Sequence, residues 1–91
     1  MVKILKLIWD EWNELHIARH NVTPEEVIEV CYGNHITVKG KKGRLMLIGS
    51  TKTGRILAVI LHEKFEKYTY YVVTARQAGK KERMLYTRIY E

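Results

Sequence analysis

The residues best suited to chemistry lie in "YYVVTARQAGKKERMLY", Tyr70 to Tyr86, which begins as a β-branched apolar run and ends as a cationic helical one. Arg76 stands at the changeover, Glu82 follows six residues later, and Tyr86 is one helical turn beyond Glu82. A strand end just before a helix start suits an anion, because free backbone N–H groups and the helix dipole point at the same spot. In a helix running from Gln77, Ala78, Leu85 and Ile89 lie at i, i+7 and i+11, and Glu82 falls on that same stripe. A carboxylate on a face that packs against a sheet is costly unless it is paired or opens onto a site. Arg76 is the natural partner, and the constellation reads two ways: as a clamp fastening helix to sheet, or as a site that handles an anion with the same groups. Either way Arg76 should end the last strand, with Glu82 over the sheet and Tyr86 or His20 within reach.

Other candidates are weaker. His16 and His20 are one helical turn apart and have the spacing of two metal ligands, with Asp10 or His35 as a third. Neither Cys pairs nor a His-Glu-x-x-His pattern accompanies them, so no metal site is expected. For His20, structural and acid–base use both stay open. Cys31 has no cation near it in the sequence pattern and reads as an unreactive thiol on an inner stripe. Lys39, Lys41, Lys42 and Arg44 bracket a glycine turn; the pattern fits a phosphate-contacting hairpin and fits solvated turn lysines equally well. "GSTKTGR" lacks the Gly-Lys-Ser/Thr ending of a phosphate-cradling loop.

The elements that must position these residues are legible from periodicity. "KILKLIW" is a short first strand and Asp10–His20 a helix with acids in its first turn. Thr23, Pro24 and Glu26 form a capping box with proline at the first helical position, and Val22 with Val27 forms the hydrophobic staple. Val27, Val30 and Cys31 make the inner stripe of this second helix, which Gly33 or Asn34 ends. The pattern then changes to period two. "HITVKG", "RLMLIG", "RILAVILHE" and "YTYYVVTA" are strands joined by short turns, hence antiparallel neighbours. Both faces of Ile56–Leu61 are apolar, which marks a central strand. The fold expected is α+β: a short N-terminal strand, two helices, an antiparallel β-meander of about four strands, and a C-terminal helix packed on the sheet.

Ninety-one residues, 46% apolar and 29% charged, suit a single domain over 1–91 with one modest core. The longest apolar runs are too short to span a bilayer, and "MVKILKLIWDEW" lacks a small-residue cleavage site, so a cytoplasmic protein with no membrane partner is expected. Cys31 stands alone, which excludes an internal disulfide. Charge is lopsided. Up to Asn34 three basic residues meet six acids, giving −3; from His35 onward thirteen meet four, giving +9. Such asymmetry points to a polyanion-facing part and a separate, partner-facing part.

Four stretches also carry a family likeness: "IWDEW", "ARHNVTPEEVIEV", "IGSTKTGRILAV" and "VVTARQAGKKERMLY". Together they resemble, nearly end to end, the BrnT-type toxins of bacterial type II toxin–antitoxin systems, which are related to RelE-type ribonucleases. The sequence departs from that pattern in a first helix about one residue shorter, in Trp12 and His16 where Lys and Asn are usual, and in Lys64 and Tyr71 where Arg is usual. The resemblance implies a cofactor-free and metal-independent mRNA endoribonuclease that inhibits translation. It also implies a cognate antitoxin, a small ribbon-helix-helix-type protein, with RNA as substrate and a homodimer allowed. The catalytic residues carried over are His20, Arg55, Arg76, Glu82 and Tyr86: the arginines for phosphate charge, the others for proton transfer. His16, Lys64, Tyr71 and Lys80 would bind substrate, with Tyr71 stacking on a base. The alternative is a non-enzymatic basic module that binds an acidic protein partner or RNA.

Overall fold

The computed structural model describes residues 2–90. Eight elements follow one another: β1 (Lys6–Ile8), α1 (Glu11–Ala18), α2 (Pro24–Tyr32), β2 (His35–Lys39), β3 (Arg44–Ser50), β4 (Ile56–Glu63), β5 (Thr69–Gln77) and α3 (Lys80–Tyr90). The strands form one five-stranded sheet in the order β1-β5-β4-β3-β2. β2 to β5 are the antiparallel meander, and β1 adds in parallel on the β5 edge, Ile8 opposite Tyr71. β4 is the middle strand, as its two apolar faces require.

Local chemistry sets the helix starts. Asp10 caps α1 by accepting from the Asn13 N–H at 2.9 Å, while the Asn13 side chain accepts the Asp10 N–H at 2.9 Å and donates to the Ile8 carbonyl at 2.9 Å. The fully buried Asn13 is thereby satisfied and welds β1 to α1. Thr23 and Glu26 form the expected reciprocal box, at 3.2 and 3.1 Å, with Pro24 opening α2. α1 and α2 both lie on one face of the sheet, where Ile17, Val22, Val27, Val30 and Cys31 pack on Leu47, Leu57, Val59, Leu61 and Val72. Gly49 permits this closeness: a Cβ there would sit 2.9 Å from the Asn34 carbonyl and 3.1 Å from Val30.

α3 lies on the opposite face and covers only one corner of it, where Tyr86 and Ala78 pack on Ile48 with Ile36, Met46 and Ile56. The stripe of Ala78, Leu85 and Ile89 is not the packed one: Leu85 is 44% and Ile89 62% exposed. The helix begins at Lys80, three residues later than Gln77. Ala78 is still bonded to β4 through its N–H to the Ile56 carbonyl at 2.9 Å. Helical phase is then set by Glu82, which faces Arg76, so the inward residues are Glu82, Tyr86 and Tyr90 at i, i+4 and i+8. No helix among the described residues is long and apolar enough to cross a membrane.

Candidate functional site

Where α3 stops, half a sheet face is left open, and its residues follow from register. Directly opposed residues share a face, so Arg44, Met46 and Ile48 on β3 lie beside His62, Ile60 and Ala58 on β4. On β5 the same face receives Arg76 opposite Ala58, Thr74 opposite Ile60, and Tyr71 opposite His62. Strict alternation would put Tyr71 and Arg76, five residues apart, on opposite faces. The register shifts between Ile60 and Leu61, leaving Val73 as the extra residue of a bulge, and this turns Tyr71 onto the face of Arg76. It also sends Val72 into the core on the other side.

Arg76 and Glu82 meet in a fork, Nη1 to Oε1 at 2.7 Å and Nη2 to Oε2 at 2.9 Å, and Glu82 also accepts the Gly79 N–H at 2.7 Å. The arginine hydrogen bonds hold the Glu82 carboxyl below its ordinary value, with burial opposing and the Gly79 N–H assisting. Glu82 is therefore an ionised acceptor tied into three hydrogen bonds, and its lowered value makes it a weak base and no proton donor near neutrality. The Arg76 side chain stays 40% exposed and raised above its ordinary value, chiefly by the Glu82 hydrogen bond. A guanidinium has five N–H donors, so donors remain for a second anion.

Further along the face, the Tyr71 hydroxyl donates to Asp10 at 2.9 Å, and the Lys64 ammonium lies 5.6 Å from the Tyr71 ring centre. Burial first, then the Asp10 hydrogen bond and charge, push the Tyr71 phenol up, so it keeps its proton. Beside this, Val38, Met46, Ile60 and Arg44 help to line a cavity of about 200 Å³ at the β2–β3 end.

The expected site residues thus divide between two layers. Arg76, Glu82 and Tyr86 at the α3 corner, and Lys64 with Tyr71 five residues back along β5, lie on the same side of the sheet in two groups, with Lys80 exposed at the start of α3. His16, His20 and Arg55 do not join them. Arg55 Nη1 donates to both Glu26 oxygens, at 2.8 and 2.9 Å, and to the Asn21 carbonyl at 2.9 Å, a strut from the start of β4 to the α2 cap. His16 and His20 are exposed on the helical layer with their rings 5.6 Å apart. The physical reason is topological: α1 and α2 pack on one face and α3 on the other. Tyr86, though on the open-face side, is only 6% exposed beneath α3.

Sequence reasoning missed His62 and Thr74 and saw Arg44 only as a turn cation. The signal for His62 was its even spacing from Ala58 and Ile60; the bulge that sets Tyr71 beside it left no mark. His62 Nδ1 and Thr74 Oγ1 are buried without a hydrogen-bond partner among the described residues. Cys31 is buried, and burial pushes its thiol up to about 12, which removes it as a nucleophile. Among the described residues no group of three or more His, Cys, Asp or Glu is placed to hold a metal ion.

No protein-family model and no curated protein matches the chain. Among solved structures it is similar to the crystal structure of the Brucella abortus ribonuclease toxin BrnT, with 26% identity and a TM-score of 0.66, over 84% of this chain and 99% of that one. The chain has the BrnT-type toxin fold.

Proposed function

We propose that the chain is the toxin of a type II toxin–antitoxin pair and cleaves mRNA on the open sheet face without a metal ion, its antitoxin being a small ribbon-helix-helix-type protein. The observation that carries this reading is the Val73 bulge, which turns Tyr71, with Lys64 over its ring, onto the same sheet face as Arg76, a face that α3 covers at one corner only. A similar fold in a ribonuclease toxin supports it. In the reaction, a ribose 2′-hydroxyl attacks the adjacent phosphorus, and charge builds on the non-bridging oxygens. Arg76 offers its remaining donors there, held in place by Glu82, and such preorganised donors are where most of the rate arises. Lys64 adds charge. Tyr71 presents a ring for base stacking, and the cavity beside Arg44 takes a neighbouring base. Arg55 and His20 drop out of the catalytic set and His16 out of the substrate-binding one, because Arg55 supports the α2 cap and the histidines sit on the other layer.

The test is cleavage of a mixed-sequence mRNA by purified protein in excess chelator. The expected result is undiminished cleavage leaving 2′,3′-cyclic phosphate ends, silenced by the protein encoded beside it. Cleavage that vanishes with chelator and returns with a divalent ion would overturn the metal-free mechanism. Binding without cleavage of any RNA would leave a basic interaction module.

A further inference from the structure

The face as read so far handles phosphate charge but lacks a group to move the 2′-proton. Glu82 is a weakened base tied into three hydrogen bonds, Tyr86 is buried between α3 and the sheet, and His20 is on the other layer. We propose that His62 is the proton acceptor of the cleavage reaction, an assignment that rests on the RNA-cleaving reading of this face. His62 is opposed by Arg44 on one side and Tyr71 on the other, so a cation and a stacking ring flank the imidazole within one strand spacing, and Arg76 lies four residues further along, opposite Ala58.

The buried histidine His35 shows what a structural role looks like in this fold. His35 has both ring nitrogens engaged, Nδ1 donating to the Val30 carbonyl at 3.0 Å and Nε2 accepting the Val2 N–H at 3.3 Å. His62 Nδ1 has no such partner among the described residues, and the buried Thr74 hydroxyl diagonal to it is in the same condition. Buried polar atoms of this kind are uncommon, and two of the three among the described residues, Thr37 Oγ1 being the third, lie on this face. The charged and titratable groups that face the ring are Arg44 from β3, Tyr71 from β5 with Lys64 over its ring and Asp10 on its hydroxyl, and Arg76 with Glu82 further along.

In the step, the His62 imidazole takes the 2′-hydroxyl proton as the 2′-O–P bond forms, and the P–O5′ bond breaks. Solvent water protonates the departing 5′-oxygen, and the resulting hydroxide takes the proton from the imidazolium, restoring His62. The products are a 2′,3′-cyclic phosphate and a 5′-hydroxyl.

Single-turnover cleavage is measured against pH for wild type and His62→Gln, with RNA affinity and melting temperature measured in parallel. A positioned general base contributes about a hundredfold to ten-thousandfold. The glutamine variant should lose rate by that factor and lose the acid limb of the pH profile, while RNA affinity, carried by the cations, is retained. His62→Ala with added imidazole gives a second route, and rescue rising with imidazole concentration is the expected result. A folded glutamine variant with wild-type rate and an unchanged acid limb overturns the assignment, as does parallel loss of affinity and rate without rescue. Wild-type protein that cleaves no RNA overturns the reading beneath it, which is a different result from an active enzyme indifferent to His62.

Discussion

The two faces of one sheet have been put to opposite uses. The face under α1 and α2 carries Leu47, Leu57, Val59, Leu61 and Val72, all fully buried, and meets helices that hold five of the six acids of the N-terminal part, Asp10 reaching Tyr71 instead. The other face is closed only at the α3 corner and elsewhere shows Arg44, His62, Thr74, Tyr71 and Arg76. A folding domain this small gains from burying apolar surface wherever it can. A half-face left open and polar, with buried atoms unpaired, is therefore a place where stability was conceded and function is to be sought.

That contrast can be broken most forcefully in the core. Leu47→Ala should cost about 2–5 kcal/mol in denaturant unfolding, a large part of the stability of a small domain. Val38→Ala on the open face, where the residue is 39% exposed, should shift stability by about 0.5 kcal/mol or less. Equal losses at the two positions would mean that the faces do not differ as described. On the open face the loss should appear in RNA binding instead. Tyr71→Ala should weaken single-stranded RNA binding by about 1–3 kcal/mol, the usual worth of one base on one ring. Tyr71→Phe keeps the ring, so its RNA affinity should stay near wild type while the bond to Asp10 is lost.

A smaller effect comes from protons on both sides. His35 is held neutral, its pKa lowered mainly by burial, so the unfolded chain binds a proton that the folded chain refuses. Its contribution is complete above the ordinary histidine value and is lost as pH falls through the folded value. Glu82 behaves with the same sign at lower pH: its carboxyl is depressed by Arg76, so the pair stabilises above the ordinary carboxylate value and fades as pH falls through the folded one. Thermal melts against pH should show two successive losses on acidification, with His35→Gln removing the first and Glu82→Gln the second.

The parts of this account legible in the sequence are those decided within a few residues. The Thr23–Pro24–Glu26 cap, the stripe of Val27, Val30 and Cys31, the meander and the central place of β4 all follow from spacing. What spacing did not contain is the side of the sheet each helix takes, which separated His20 and Arg55 from Arg76. Nor did it contain the bulge at Val73, since an inserted residue looks like any other valine in a β-branched run. The phase of α3 was misread for a related reason: Ala78 was counted as helical although it still pairs with β4. Arg76 with Glu82 was readable as a pair, but that pairing alone suits a clamp and a phosphate site equally.

The most direct test of the central claim separates those two roles. RNA cleavage by wild type and Arg76→Ala is compared in chelator, beside their melting temperatures and RNA affinities. With Arg76 stabilising the developing phosphate charge, the variant should remain folded and bind RNA while cleaving about a hundredfold to a thousandfold more slowly. A variant that melts earlier because Glu82 has lost its partner, yet cleaves at the wild-type rate, would contradict the account and leave Arg76 as a fastening for α3.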